Sequence, residues 1–409
     1  MEKELALTCS TEKAASRSQT EAQALPVSAL LALAMTGFIC IITETLPAGL
    51  LPQMAAGLNI SNSLAGQTVT AYALGSLLAA IPLTIATQSW RRRNVLLLAI
   101  AGFFIFNSIT AWSSHYWLTL AARFFAGMAA GLSWSLLAGY ARRMVAVHQQ
   151  GKAMAIAMVG TPIALSVGLP LGTWLGGITG WRSIFFAISA LTLLLAVWVV
   201  ARVPDYPGQS RHERMPLRQV LTTKGVRPVL AVVIVWMLAH NILYTYIAPF
   251  LASAGLASSV DSVLLIFGLS ALLSIAVTGK LVDRHLRRSV LVSLAAFAFV
   301  SLMLMVFSQH PVAIYPGVAV WGLSFGGAAT LLQTALADTA GEGADIALSM
   351  NVVAWNGAIA AAGITGGILL DNWGAPALPP ALILLLAGAF IITCRSRQHG
   401  FRPGARTGH

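Results

Sequence analysis

The sequence predicts an all-α integral membrane protein, with twelve transmembrane helices in two pseudo-symmetric six-helix bundles. Three observations carry this prediction: the composition, the number of long apolar runs, and the placement of Lys and Arg. The 409 residues are 57% hydrophobic and only 9% charged, with a mean hydropathy of +0.79. A soluble chain carries about 25% charged residues, so this one lacks the charge to cover a water-exposed surface of its size. Its 36 Gly and 17 Pro suit transmembrane helices, where both are enriched.

A helix needs about 20 apolar residues to cross the hydrocarbon. The first half offers such runs near 26–53, 63–87, 95–113, 117–141, 153–178 and 182–203. The second half offers them near 228–253, 260–281, 289–308, 312–337, 346–370 and 375–394. The runs are continuous rather than alternating, which argues against strands. This divides the chain into a tail (1–25), an N-terminal bundle (26–203), a linker (204–227), a C-terminal bundle (228–394) and a second tail (395–409). The first tail is polar and has no apolar segment of its own, so an uncleaved first helix is expected.

Of the 25 Lys and Arg, all but Arg123 and Arg182 fall in the tails, the linker and the even-numbered loops, on one side. Such a bias places both termini in the cytoplasm, with the chain in the inner membrane. It also accounts for the net charge of +12 without a nucleic-acid partner. Cys9, Cys40 and Cys394 are too scattered for a disulfide framework.

The halves repeat at a constant offset of 195 residues. Arg92 and Arg93 match Arg287 and Arg288, Gly127 and Gly131 match Gly322 and Gly326, and Gly168 and Gly172 match Gly363 and Gly367. Duplicated six-helix units with a substrate site between them are a recurrent transporter plan.

Polar residues inside the spans are the candidate functional groups. Glu44 is the only acid deep in a span, where a charge costs on the order of 2.5–3.5 kcal/mol. It lies nine residues before Gln53, ~13 Å from the outer end, and Arg123 lies seven after Tyr116, ~10 Å from that side. Similar depth suits either a switchable proton site tuned by Arg123 or a static ion pair. His240, Asn241 and Tyr244 in span 7, with Asn351, Trp355 and Asn356 in span 11, suit either interhelical hydrogen bonds or a substrate cavity. Residues 351 and 355 share a face. Trp134 is a further candidate for the cavity wall, and His240 for a second proton carrier. Gly160, Gly168, Pro170 and Gly172 in span 5 permit close packing and a bend, either as packing alone or as a seal at the interface of the halves. Gly279, Asp283 and Arg287 recur at four-residue spacing, which allows helical pairing.

Several stretches resemble the major facilitator superfamily, and within it the proton-driven drug and sugar exporters. Thr43-Glu44-Thr45-Leu46-Pro47 is similar to their first-helix motif, and Arg123-Phe-Phe-Ala-Gly127 to their membrane-embedded arginine motif. Gly160 with Gly168-Leu-Pro170-Leu-Gly172 is similar to the antiporter motif. Gly279-Lys-Leu-Val-Asp283-Arg284-His-Leu-Arg287-Arg288 is similar to the cytoplasmic gate motif. The first-half copy, Gln88-Ser-Trp90-Arg91-Arg92-Arg93, lacks the usual acid. The span 7 segment through Ala248-Pro249-Phe250 resembles sugar-efflux members.

The resemblance implies proton antiport by alternating access, exporting a drug-like compound or a sugar. An importer or uniporter of a small polar metabolite such as a sugar or nucleoside, and a transport-inactive sensor, are the alternatives. The expected partners are a small-molecule substrate, protons and lipid. Neither a cofactor beyond the proton gradient, nor a metal, nor an enzymatic activity is expected, and the chain is expected to act as a monomer.

Overall fold

The computed structural model describes residues 25–87, 89–146, 149–208, 217–307 and 310–404. It is all-helical. The transmembrane helices are α1 Val27–Gly49, α2 Asn62–Ala86, α3 Arg92–Trp112, α4 Tyr116–Arg143, α5 Ala153–Thr179 and α6 Trp181–Arg202. After the linker come α7 Val226–Thr245, α8 Ala257–Val282 and α9 Arg284–Val306, α10 Pro311–Ala340, α11 Ala344–Trp373 and α12 Leu378–Arg395. Eleven of these are long and apolar enough to cross a membrane. The twelfth, α2, has 25 residues, long enough to span at 1.5 Å per residue.

Local chemistry explains the departures from straight rods. α5 contains a π-helical turn at Ala164–Gly168, just before Pro170, whose missing N–H frees a carbonyl one turn earlier. The expected span 7 is broken at Tyr246, with a short helix Ile247–Ser253 beyond it. Pro249 there deprives the Thr245 carbonyl of its partner. Spans 8 and 9 are not separated by a loop. The two helices meet almost directly at His285, whose φ of −136° and ψ of 29° are non-helical.

α1 packs on α2, α4, α5 and α6, while α3 packs on α4 and α6. α7 packs on α11 and α12, and the α8–α9 segment on α10 and α12. The repeat is visible atom by atom. A Cβ on Gly127 would strike the Tyr72 carbonyl and one on Gly131 the Ser76 carbonyl. A Cβ on Gly322 would strike Phe267 and one on Gly326 would strike Ala271. Phe267 and Ala271 are Tyr72 and Ser76 plus 195, so both partners of each contact obey the same offset. Trp112, Trp117 and Trp373 are 84%, 76% and 67% exposed at the ends of α3, α4 and α11 that share one side. Such exposure fits a membrane interface, where tryptophan is enriched.

Candidate functional site

The bundles meet through α1–α7, α2–α11 and α5–α8. Gln67 Nε2 donates to the Gly363 carbonyl (3.1 Å) and Thr70 Oγ1 to the Ala360 carbonyl (3.5 Å). The Tyr246 hydroxyl donates to Gly363 (2.6 Å), a contact that the break after Thr245 makes possible. Gly268 of α8 leaves room only for the Leu165–Ser166 backbone of α5. Thr70 is eight residues into α2, ~12 Å, and Gly363 ten residues from the end of α11, ~15 Å. These contacts therefore close the molecule on the side of the α1–α2 loop.

Glu44 is partly buried on α1, and Arg123 on α4 is fully buried. The structure brings them together through the main chain. Arg123 Nη2 donates to the Glu44 carbonyl (3.5 Å) and Nε to the Thr68 carbonyl (3.4 Å), while Nη1 has no partner. The guanidinium lies 4.8 Å from the Tyr72 ring centre and 5.8 Å from that of Phe185. The static carboxylate–guanidinium pair, one of the two alternatives that similar depth allows, is not formed in this conformation. The Tyr244 side chain, from the other bundle, lies beside Thr45, the residue after Glu44.

His240 is buried in an aromatic cluster. Its ring stacks on Phe325 at 3.4 Å and lies 5.1 Å from Tyr244, 5.3 Å from Trp321 and 5.7 Å from Phe267. Trp321 Nε1 donates to His240 Nδ1 at 3.2 Å. An indole nitrogen only donates, so Nδ1 carries no proton and the imidazole is neutral in this state. Trp355 joins through Phe325 at 6.5 Å. Asn351 is buried with its Oδ1 unpartnered. Asn241 and Asn356 instead donate to their own helices, at Met237 and Val352. Trp134 is half-buried beside Gly37 of α1. Sequence reasoning passed over Phe267, Trp321 and Phe325, because aromatic residues in apolar spans carry no periodic signal of their own.

Gly160, Gly168 and Gly172 face α1 of their own bundle, against Ala34, Phe38 and Leu46, and Pro170 is buried beside them. The glycines packed closely between the bundles are others: Gly268 against α5, Gly66 against Tyr246, and Gly363 and Gly367 against α2.

At the basic ends, Arg287 donates to the carbonyls of Thr393 (2.6 Å), Cys394 (3.0 Å) and Phe401 (3.0 Å). It thereby satisfies the orphan carbonyls at the end of α12. A Cβ at Gly279 would meet open space. Arg284 and Arg288 are exposed, and the Asp283 side chain lies outside the described residues. The first-half copy, which lacks a local acid, receives one from beyond α6. Asp205 pairs with the Arg91 guanidinium and accepts the Arg93 N–H at the start of α3. Tyr140 donates to the Pro204 carbonyl, and the Arg92 N–H to that of Tyr206. Burial works to raise the Asp205 carboxyl, but the Arg93 N–H and the Arg91 guanidinium together hold it below the usual range. On the opposite side Arg182 binds the carbonyls of Gly57 and Ser113, a structural use for the one cation in the cation-poor loops.

Comparison with known proteins agrees with this geometry. The family described as Major Facilitator Superfamily matches residues 33–363. The chain is 28% identical over 379 residues to the purine ribonucleoside efflux pump NepI of Salmonella enteritidis PT4, covering 90% of this chain and 94% of that one. It is 29% identical, with the same coverage, to the pumps of that name from Salmonella typhimurium LT2 and Salmonella paratyphi C. With a family match across most of its length and a helical, duplicated, multi-pass membrane fold, the chain belongs to the major facilitator superfamily and is a transporter rather than an enzyme.

Proposed function

We propose that this chain exports a neutral, ring-bearing polar solute of the purine ribonucleoside kind across the inner membrane, in exchange for protons. The observation that carries the reading is the meeting of two unlike surfaces. The aromatic cluster around His240 belongs to the C-terminal bundle, and its Tyr244 faces Thr45, the residue after Glu44, in the N-terminal bundle. Flat rings stack on a planar heterocycle at offset geometry, while Asn351 and Tyr244 offer unpartnered polar atoms for its edge and hydroxyls. The only acid deep within a span stands at the same level and takes the proton. Arg123 acts on it from behind. A nucleoside suits this surface better than the drug-like compound or sugar that the motifs alone suggest, and the relatives named above are purine ribonucleoside pumps.

In this reading the neutral His240 recognises substrate and is not the second proton carrier. Contacts close the molecule on the α1–α2 side, and an exporter collects its cargo from the opposite, cytoplasmic side. The test is flux into proteoliposomes under an imposed pH gradient, across purine ribonucleosides, pyrimidine ribonucleosides, sugars and antibiotics. Gradient-driven movement of purine ribonucleosides ahead of the rest supports the proposal. Movement of sugars alone, or flux indifferent to the gradient, refutes it.

A further inference from the structure

We propose that Asn107 of α3, acting through the Thr43 hydroxyl, is a positioning residue that sets how readily Glu44 takes up and gives back its proton. The inference rests on Glu44 being the proton site, as proposed above. Asn107 is fully buried, in a helix whose other buried side chains deeper in the membrane are apolar. A buried amide is costly unless it is hydrogen-bonded, so its presence there needs a reason. Its Nδ2 donates to Thr43 Oγ1 at 3.1 Å, and its Oδ1 has no partner. Packing alone would favour an apolar residue in its place.

The contrast within α1 is informative. The hydroxyls of Thr36 and Thr45 donate to their own helix, at Ala32 and Ile41, the default for a threonine in a membrane helix. Thr43, fully buried, instead accepts from a neighbouring helix. The next residue is Glu44, whose carbonyl accepts from Arg123 of α4. Consecutive residues of α1 are thus held from α3 and from α4. The carboxyl is carried forward from this anchored stretch, so the anchor fixes its distance from the charges around it. Those groups are Arg123 on α4, Tyr72 on α2, Tyr244 on α7 and Cys40 on α1 itself. α5 presents no titratable side chain, and those of α3 and α6 (Arg92, Arg93, Arg182 and Arg202) stand at the helix ends.

The test reads the proton on Glu44 without relying on transport. The purified full-length protein is titrated by infrared difference spectroscopy, with the carboxyl band of Glu44 assigned by its loss in Glu44→Gln. In Asn107→Ala and in the near-isosteric Thr43→Val, the midpoint of that band moves by roughly half a pH unit or more, in the same direction. The double variant moves no further than either single one, because both remove one link. Thr43→Ser, which keeps the hydroxyl, restores the wild-type midpoint and so guards against an Asn107→Ala that fails to fold. Unmoved midpoints in Thr43→Val and Asn107→Ala, or shifts that add in the double variant, overturn the inference while leaving the proton role of Glu44 standing. A wild-type spectrum with no band lost in Glu44→Gln overturns both.

Discussion

Arg123 shows how a buried charge is tolerated in this protein. Two carbonyls, two aromatic faces and the neighbouring Glu44 share its cost, yet Nη1 with its two N–H groups remains without a partner. An unmet donor on a buried guanidinium is expensive, and a second conformation in which it reaches the Glu44 carboxylate would relieve it. Arg123→Ala is therefore expected to change the pH dependence of transport for every substrate alike, seen as a common shift of rate–pH curves. Substrates reordered at unchanged pH dependence would refute that role. His240→Ala and Asn351→Ala are expected to do the reverse. A lost stacking partner is worth about 0.5–1.5 kcal/mol, roughly 2- to 13-fold in relative affinity, so the ranking of nucleosides changes while the pH profile stays. Competition binding at several pH values checks this. At this scale the sequence was legible wherever a residue was chemically out of place, as with Glu44, Arg123 and His240. Asn107 gave the same signal, a lone amide in an apolar span, yet nothing in the sequence tells which neighbour it bonds. The manner of the Glu44–Arg123 contact was likewise hidden, since depth along two helices does not say which way each side chain turns.

Among the elements, α5 and α8 form one of the close seams between the bundles. Gly268 stands against the π-turn of α5, and a side chain there would strike Ser166 and Leu165. Gly268→Leu is expected to prevent closure on the α1–α2 side while leaving each bundle folded. With the three native cysteines replaced by serine, Thr70→Cys and Ala360→Cys should cross-link readily in the parent, where Thr70 and Ala360 are hydrogen-bonded, and several-fold less in Gly268→Leu. Equal cross-linking in both would contradict the seam. The linker contributes a second element-scale device. Because Asp205 is held below the usual carboxylate range, its contribution to stability is full above that range and is lost as pH falls through the folded-state value. Asp205→Asn should then lower the melting temperature in detergent by a few degrees at neutral pH. The difference from wild type should vanish toward acid pH, below the ordinary carboxylate value of about 4. A pH-independent difference would show that the pairing with Arg91 is not its source. The span pattern announced the twelve long helices, since apolar run length reads directly as hydrocarbon thickness, but not the short helices Leu51–Leu58 and Leu217–Thr222. It did not announce the π-turn, the break at Tyr246 or the direct α8–α9 junction at His285, which depend on carbonyls freed by proline and on packing. Nor did it connect Asp205 with Arg91, 114 residues apart.

At the scale of the molecule, the repeat was legible because glycine pairs must recur where helices cross closely, and the structure gives their facing residues the same offset. What the halves do differently is equally visible at matched positions. Arg123 corresponds to Val318, Glu44 to Ala239, Thr45 to His240 and Tyr72 to Phe267. One bundle holds the buried charges, and the other places aromatic rings around a neutral imidazole. The central claim is that these two halves couple proton movement to export of a ring-bearing solute through Glu44. The most direct measurement compares wild-type protein with Glu44→Gln in proteoliposomes of acidic interior, following adenosine and guanosine. Wild type should accumulate both above equilibrium until a protonophore collapses the gradient. Glu44→Gln should lose that accumulation while still exchanging labelled for unlabelled nucleoside without a gradient. Accumulation by Glu44→Gln at the wild-type level would contradict the account.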